Sequence, residues 1–261
     1  KIKPDVLVIS TPSKNRINKI KKFPYIKGVL CEKPLAMNLK ELKNIKEFCL
    51  KNNILIQTNY WRRGNSYFQK LAMDKLKNKI GKIQAVFASY GNGIYNNGSH
   101  LIDFIIMLFG KPKFVSAQSK MTKISSLPIK NDLHMAFTIT TDRGININIQ
   151  PLDFNKYREV GIDIWGDKGR ISILQESLSA LFYKTKNNRG LIKEKEVQSE
   201  KPKYLNVIDI KSYYNLYTNL ANSIHNKDAL LSSIYNELEV LKTIIAIKKS
   251  ALSLGAWQRI K

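Results

Sequence analysis

The sequence predicts an α/β segment followed by a larger α+β segment, and two observations support this prediction. The first 58 residues contain three short apolar runs without alternation, separated by stretches with helical spacing, which is typical of a parallel sheet covered on both faces. After residue 59 most apolar residues alternate with polar ones, which is typical of antiparallel strands with one open face. We therefore predict that residues 1–58 are part of a doubly wound parallel-sheet domain. Residues 59–261 are predicted to form an α+β domain with a large open, mainly antiparallel sheet and flanking helices.

The first segment is predicted to run strand–helix–strand–helix–strand. Its strands are the runs DVLVIS, GVLC and ILIQT at residues 5–10, 28–31 and 54–58. Helical structure is expected in part of 13–24, and from Asn38, a good N-cap, to about Lys51. All three strands end in polar or special residues, and in open α/β sheets the ligand crevice lies outside the carboxyl ends of the strands. These ends therefore predict a binding site at one edge of the sheet.

The second segment is predicted to contain one large sheet and four helices. Helices are expected at residues 66–79, 99–109, 213–225 and 236–254, where apolar residues recur at helical spacing. Tight turns at 142–144 and 167–169 separate alternating strands, as in β-hairpins. The strands are predicted at 82–90, 113–121, 133–141, 144–150, 159–166, 169–174 and 179–185, and the polar stretch 186–203 as a loop or sheet edge.

The charge of the chain, +24 at pH 7, raises the question of a nucleic-acid partner. Of the 44 basic residues, 36 are lysines spread along the whole chain, which favours solvated surface charge because phosphate and base recognition prefer arginine. A polyanion-binding surface stays open as an alternative. No apolar run reaches the length of a membrane span, and no signal peptide is recognised. Cys31 and Cys49 form neither a disulfide framework nor metal-ligand spacing with the three histidines, so we expect a cytoplasmic protein without a metal and with neither nucleic acid nor membrane as partner.

The second strand ends in Glu32-Lys33-Pro34, which is the first candidate for chemistry. Proline fixes the backbone there and permits a cis bond, so the lysine is held at the crevice mouth. A neighbouring charge or desolvation can tune the pKa of such a lysine. The alternative is an ordinary strand end followed by a turn.

The second candidate is the stretch GIYNNGSHLIDFIIMLFG at residues 93–110. Its Gly- and Asn-rich turn leads into a helix with His100 in the first turn, and Asp103, three residues later, shares a face with His100. A histidine oriented by a carboxylate is a plausible general acid or base near neutral pH. The alternative is a histidine that merely satisfies a local aspartate at a helix start. His134 and His225 are interpreted as structural or surface residues.

These motifs, together with NYWRR at residues 59–63, occur in an order and at spacings that resemble the glucose–fructose oxidoreductase / inositol dehydrogenase (Gfo/Idh/MocA) family. The resemblance covers nearly the whole chain. It implies a Rossmann domain followed by a substrate-binding and oligomerisation domain, and an oxidoreductase that uses NAD or NADP on a sugar, inositol or nucleotide-linked sugar. It also implies a homo-oligomer, a dimer or tetramer, formed through the open sheet.

The resemblance implies roles for matching positions. Lys33 matches the family lysine beside the reacting carbon, where its charge stabilises a developing alkoxide, and His100 matches the proton-transfer histidine. Asn96 and Asp103 are expected to bind substrate together with His100. The expected cofactor contacts are Ser10, Thr11, Pro12, Asn15, Glu32, Lys33 and, as a weaker assignment, Arg62.

Three features depart from the family pattern. The Gly-rich phosphate fingerprint is not found, so we expect an N-terminally truncated chain that lacks the first half of the Rossmann domain and binds cofactor weakly or not at all. Asn96 stands where many members carry Asp, and an amide cannot share a proton, so His100 is expected to carry that step alone. Arg16 stands where the family usually has His. A family-like binding or assembly module without turnover therefore stays open as an alternative function.

Overall fold

A computed structural model of the protein describes residues 3–72, 76–118, 121–124, 129 and 131–261. Its first three strands are β1 (Val6–Ile9), β2 (Gly28–Cys31) and β3 (Leu55–Thr58). They pair in parallel in the order β1-β2-β3. Helices α1 (Arg16–Lys21) and α2 (Leu39–Lys51) connect them. The parallel sheet is as predicted, and the N-cap is confirmed because the Asn38 side chain accepts a hydrogen bond from the Glu41 backbone N–H.

The next elements lead from the first sheet to the second. A 3-10 turn at Trp61–Gly64 is followed by α3 (Ser66–Lys70) and α4 (Leu76–Ile80). The described residues of the helix predicted at 66–79 are helical on both sides of residues 73–75, which lie outside the described part. Strand β4 (Ile83–Gly91), one π-helical turn at Ile94–Gly98 and α5 (Ser99–Phe109) come next.

Besides β4, the strands of the second sheet are β5 (Pro112–Ala117), β8 (Phe137–Thr141), β9 (Asn146–Leu152), β10 (Ile162–Gly166), β11 (Gly169–Leu174), β12 (Ser179–Asn187), β13 (Lys195–Val197), β14 (Lys203–Leu205) and β15 (Gln258–Arg259). In the described part of the chain this sheet has its ten strands in the order β13-β12-β11-β10-β4-β9-β8-β5-β15, with β14 paired to β12. All of its pairs are antiparallel except β4 with β9. The predicted fold class, a small parallel sheet and a large, mainly antiparallel sheet, is confirmed.

One predicted strand is divided in two. Within 133–141, β7 (Asp132–His134) pairs with β6 (Thr122–Ile124) in a separate two-stranded ribbon, whereas β8 joins the large sheet. The division falls at Met135, whose backbone N–H and carbonyl both bind the hydroxyl of Tyr90 instead of a neighbouring strand. Alternation alone predicts a continuous strand, because a side-chain hydroxyl that replaces ladder bonds leaves no pattern in sequence. Residues 119 and 120, in the strand predicted at 113–121, lie outside the described residues.

Two helices close the fold, α6 (Ser212–Asn226) and α7 (Ile234–Leu252), close to the predicted bounds. Helix α6 covers one face of the first sheet, where Leu216 and Leu220 pack with Leu30 of β2. The contact is tight at Gly28, since a Cβ atom there would lie 2.9 Å from Ile224 Cδ1. The boundary at 58/59 stays a prediction, although a helix assigned to the second part covers the sheet of the first. None of the helices in the described part of the chain has the length and apolar character needed to cross a bilayer.

Candidate active site

Lys33 lies at the carboxyl end of β2, in a loop that contains the cis peptide bond Lys33–Pro34. Its Nζ donates hydrogen bonds to the backbone carbonyl of Asn96 at 2.8 Å and to Asn96 Oδ1 at 2.9 Å. Lys33 is partly buried. Lys33 and Asn96, which belong to two separate candidate motifs in the sequence, are therefore in direct contact.

The position of Asn96 is set by Asp132 at the start of β7. The Asp132 carboxylate accepts hydrogen bonds from the backbone N–H groups of Tyr95, at 3.1 Å, and Asn96, at 2.9 Å. Gly93 begins this turn with φ +90°, and a Cβ atom at this position would lie 2.1 Å from Asp132 Oδ2, so the turn requires glycine. Asp132 was not identified in the sequence, because its role depends on a contact with a segment 36 residues away.

His100 lies in the first turn of α5, four residues after Asn96, and is partly exposed at a cavity. Its ring packs edge-on against the ring of Tyr60, with centroids 5.8 Å apart and planes at 86°. Burial lowers the pKa of His100 well below its usual range, and the positive charges of Lys33 and Arg62 lower it further. The imidazole is therefore neutral at pH 7, and it can accept a proton but does not carry a charge.

Lys33 has a pKa lowered to about 8. Burial is the main cause, and the negative charges of Glu32, Glu237 and Asp132 offset part of it. An amine with such a pKa is mostly protonated at pH 7 and can lose its proton within about one pH unit. This property suits a group that stabilises or exchanges a proton with a substrate oxygen.

Asp103 does not have the partner that its helical spacing predicts. Both of its oxygens accept hydrogen bonds from Arg63 Nε, at 2.8 and 2.9 Å, and only 1% of its side chain is exposed. The Asp103 carboxylate is thus paired with Arg63 and not with the His100 ring that helical spacing predicts, while substrate binding by Asp103 stays a prediction. Spacing along a helix places two residues on one side but does not show which neighbouring segment occupies the carboxylate.

The residues expected to contact a cofactor lie at the carboxyl ends of β1 and β2. Ser10, Thr11, Pro12 and Asn15 are exposed there, and Glu32 is partly buried. Arg16 is almost fully buried beneath them, with 1% exposure. Its guanidinium donates to the backbone carbonyls of Thr11, at 2.8 Å, and of Glu32 and Pro34. Arg16 thus holds together the two loops that flank Lys33, a role that the sequence did not reveal.

Polar atoms without a partner occur at the end of β3. Asn59 Nδ2 donates to Glu32 Oε1 at 2.6 Å, but Asn59 Oδ1 and the hydroxyl of Thr58 are buried without a hydrogen-bond partner. Buried polar atoms of this kind are costly unless a bound group or water satisfies them. The edge formed by the strand ends is therefore chemically suited to a polar cofactor.

Arg62 faces the second sheet. Its Nε donates to Ser177 Oγ at 2.8 Å and its Nη2 to the Glu176 carbonyl at 2.9 Å. Arg62 and His100 both line a cavity of about 470 Å³. The cofactor contact expected of Arg62 stays a prediction, since its guanidinium binds the turn at 175–177. Other residues that line the cavity are Trp61, Asn65, Asn97, Arg158, Leu178, Ile208, Ile210 and Tyr213.

Comparison with known proteins shows what the chain and its fold are similar to. A family model described as the GFO/IDH/MocA C-terminal domain matches residues 77–172. A trans-1,2-dihydrobenzene-1,2-diol dehydrogenase of Xenopus laevis is 26% identical over 110 residues, which cover 35% of this chain and 33% of that protein. The chain thus matches about a third of the length of this curated relative.

Solved structures match almost the entire chain. An NAD binding oxidoreductase of Klebsiella pneumoniae has a TM-score of 0.78 at 14% identity, over 98% of this chain and 80% of that one. A super-repressor mutant of Gal80p from Saccharomyces cerevisiae has a TM-score of 0.76 at 13% identity, with the same coverage. At these identities the likeness concerns the fold.

Proposed function

Because the chain belongs to the Gfo/Idh/MocA family of oxidoreductases, we propose that the protein transfers a hydride between a nicotinamide cofactor and a carbon of a sugar, inositol or nucleotide-linked sugar. The cofactor is NAD or NADP. One observation supports the proposal: Lys33 Nζ binds Asn96, four residues before His100, and the positive charges of Lys33 and Arg62 both lower the pKa of His100.

The residues proposed to hold the cofactor are those at the strand ends. Ser10, Thr11, Pro12 and Asn15 are exposed at the end of β1, and Glu32 is tied to Asn59 at the end of β3. The unpartnered hydroxyl of Thr58 and Oδ1 of Asn59 support a polar group at this edge. When bound, the nicotinamide supplies or accepts the hydride.

The side chains of the protein have two tasks in this proposal. The Lys33 ammonium stabilises negative charge that develops on the substrate oxygen, an effect that is strong in a partly buried site. The neutral imidazole of His100 accepts the hydroxyl proton during oxidation and returns it during reduction. Asn96 orients Lys33 through its two hydrogen bonds.

The cavity beside His100 is proposed as the substrate site. Its volume of about 470 Å³ lies within the range of small-molecule pockets. Its wall contains polar groups, among them the side chains of Asn97 and Arg158. It also contains two aromatic rings, those of Trp61 and Tyr213, which stack with centroids 6.2 Å apart. These groups suit a hydroxyl-rich substrate with room for a larger substituent.

The test uses reduced nicotinamide fluorescence as the binding assay and cofactor absorbance as the turnover assay. Replacing Lys33→Met is expected to leave folding intact and to lower turnover by about 10²–10⁴-fold, because it removes the positive charge that stabilises the substrate oxygen. The matched control is Lys51→Met, an exposed residue at the end of α2, which is expected to keep full turnover. Near-normal turnover of a folded Lys33→Met protein would refute the proposal.

A second function, binding without turnover, is supported by the likeness to a Gal80p repressor mutant, since one fold hosts unrelated functions. The same assays separate the two. Binding of nicotinamide with no turnover across a panel of sugars and inositols would favour the second function.

The open face of the large sheet is proposed as a contact between copies of the chain in a dimer or tetramer. Phe87, on the central strand β4, is 49% exposed on that sheet. Light scattering of the wild type and of Phe87→Lys tests this, and a smaller particle is expected for the variant because a charge opposes burial. An unchanged mass would contradict it.

A further inference from the structure

Glu237 is a buried carboxylate to which no part of the proposed chemistry has assigned a role. It lies on α7 and is 1% exposed. Its Oε1 accepts a hydrogen bond from the Leu35 backbone N–H at 2.9 Å, and its Oε2 accepts one from the Tyr60 hydroxyl at 2.7 Å. A single side chain therefore joins segments that are 202 and 177 residues away along the chain.

Each of these two contacts leads directly to a residue of the proposed site. Leu35 follows Lys33 by two positions, so its anchoring to α7 restrains the loop that carries the lysine. Tyr60 packs its ring edge-on against His100. The hydrogen bond from the Tyr60 hydroxyl to Glu237 therefore restrains the ring against which the His100 imidazole packs.

We propose that Glu237 is a positioning residue that holds Lys33 and His100 in their mutual arrangement from behind the site, and that its charge acts on Lys33. The roles of Lys33 and His100 rest on the proposed function. The contacts of Glu237 are independent of it.

The charge of Glu237 responds to pH near neutrality. Burial raises its pKa to about 7, against the stabilising hydrogen bonds from Tyr60 and Leu35. The negative charge of Asp103 raises the pKa further, and the positive charge of Arg16 lowers it. Lys33 and Cys31 also lie within its electrostatic reach.

Protonation of Glu237 removes a negative charge without breaking its contacts. One oxygen can still accept from the Leu35 N–H, while the protonated oxygen can donate to the Tyr60 hydroxyl. The expected consequence is electrostatic. Lys33 loses one of the negative charges that favour its ammonium form.

The test measures the reactivity of Lys33 without cofactor or substrate. The 261-residue chain is treated with limiting acetic anhydride at pH values from 6 to 10, and peptide mass spectrometry reports the labelling of each lysine. In Glu237→Gln, the reactivity of Lys33 at pH 7 is expected to increase about two- to fivefold, because the ammonium form has lost a facing negative charge. The exposed Lys51 serves as the internal reference.

The matched control is Glu239→Gln on the same helix, since Glu239 lies near Lys111, 4.0 Å from its Nζ. This variant is expected to leave Lys33 reactivity unchanged. Unchanged Lys33 reactivity in a folded Glu237→Gln protein, or an equal change in Glu239→Gln, overturns the inference.

A second variant covers the case in which Glu237→Gln does not fold. Tyr60→Phe removes the hydroxyl that stabilises the carboxylate, which raises the pKa of Glu237 and is expected to increase Lys33 reactivity at pH 7 in the same direction. No increase in folded Tyr60→Phe overturns the inference. Neither measurement requires nicotinamide, so their failure is distinct from failure of the proposed function.

Discussion

Lys33 donates two hydrogen bonds to one residue, Asn96, which lies 63 positions further along the chain. One bond goes to the backbone carbonyl and the other to the side-chain amide oxygen. The backbone bond is independent of residue type, whereas the second depends on asparagine. The ammonium is therefore held in place by a neutral partner, which leaves its charge available to a substrate.

Changing this partner to a carboxylate is expected to alter the lysine in a defined direction. In Asn96→Asp a negative charge replaces the amide against Nζ, so the pKa of Lys33 is expected to increase from about 8. The pH dependence of acetylation measures it. Asn97→Asp is the control at the adjacent position, and a Lys33 profile that moves as far in the control would contradict the prediction.

Arg16 is expected to stabilise the loops around Lys33 more than a lysine at the same position would. An ammonium in Arg16→Lys retains the charge but cannot span the three carbonyls that the guanidinium binds. We expect a loss of about 1–3 kcal/mol in the free energy of unfolding, because buried carbonyls lose their partners. Urea unfolding measures this loss. The control is Arg259→Lys, in the exposed end strand β15, which is expected to change the free energy of unfolding little. An Arg16→Lys protein as stable as the wild type would contradict the prediction.

Replacing Asp103 is expected to lower the stability of the fold, because its carboxylate forms a buried ion pair with Arg63. Asp103→Asn leaves the Arg63 guanidinium without its buried counter-charge, which we expect to lower the free energy of unfolding by about 3–5 kcal/mol. The control is Asp5→Asn, which breaks the exposed pair with Lys27 and is expected to cost less than about 1 kcal/mol. Urea unfolding of both proteins measures the two losses, and equal losses in Asp103→Asn and Asp5→Asn would contradict a structural role for Asp103.

Burial of the Lys33 ammonium is expected to make stability depend on alkaline pH. Its pKa falls from 10.5 in the unfolded chain to about 8 in the folded one, so the unfolded state binds more protons between these values. Wild-type stability is therefore expected to increase as pH rises from about 8 to 10.5 and to be lost as pH falls through 8. Lys33→Met removes this dependence.

At pH 7, Lys33→Met is expected to be about 1–3 kcal/mol more stable than the wild type because it removes the buried ammonium. The gain is reduced because the carbonyl and Oδ1 of Asn96 lose their hydrogen-bond donor. Urea unfolding at pH 7, 9 and 10 measures the difference between the two proteins. A difference that does not change with pH would show that the ammonium carries no burial cost.

Local patterns predicted the elements of the protein well. The three runs that end at Ser10, Cys31 and Thr58 form the parallel strands, and the Asn38 cap begins α2 where expected. Alternation and turn residues predicted most of the large sheet. Apolar periodicity and caps are properties of neighbouring residues, so a single sequence contains them.

The supporting polar network could not be predicted in the same way. Arg16, Asp132 and Glu237 act on partners that only the fold brings close, and Asp103 proved to bind Arg63. A signal exists for Glu237, because it lies on the apolar face of α7 with Leu241 and Ile244, at i+4 and i+7. An acid on such a face indicates a buried contact but does not identify the partner.

The placement of α6 over the first sheet has a consequence for synthesis on the ribosome. The face of β2 that contains Gly28 and Leu30 stays uncovered until the α6 residues that pack on it have been translated. These residues are Leu216, Leu220 and Ile224. At about 5–20 residues per second, the interval is on the order of ten seconds or more, during which an apolar strand surface waits for its cover. This face of the parallel sheet is thus covered only late in synthesis, and until then it exposes an apolar surface that chaperones can bind.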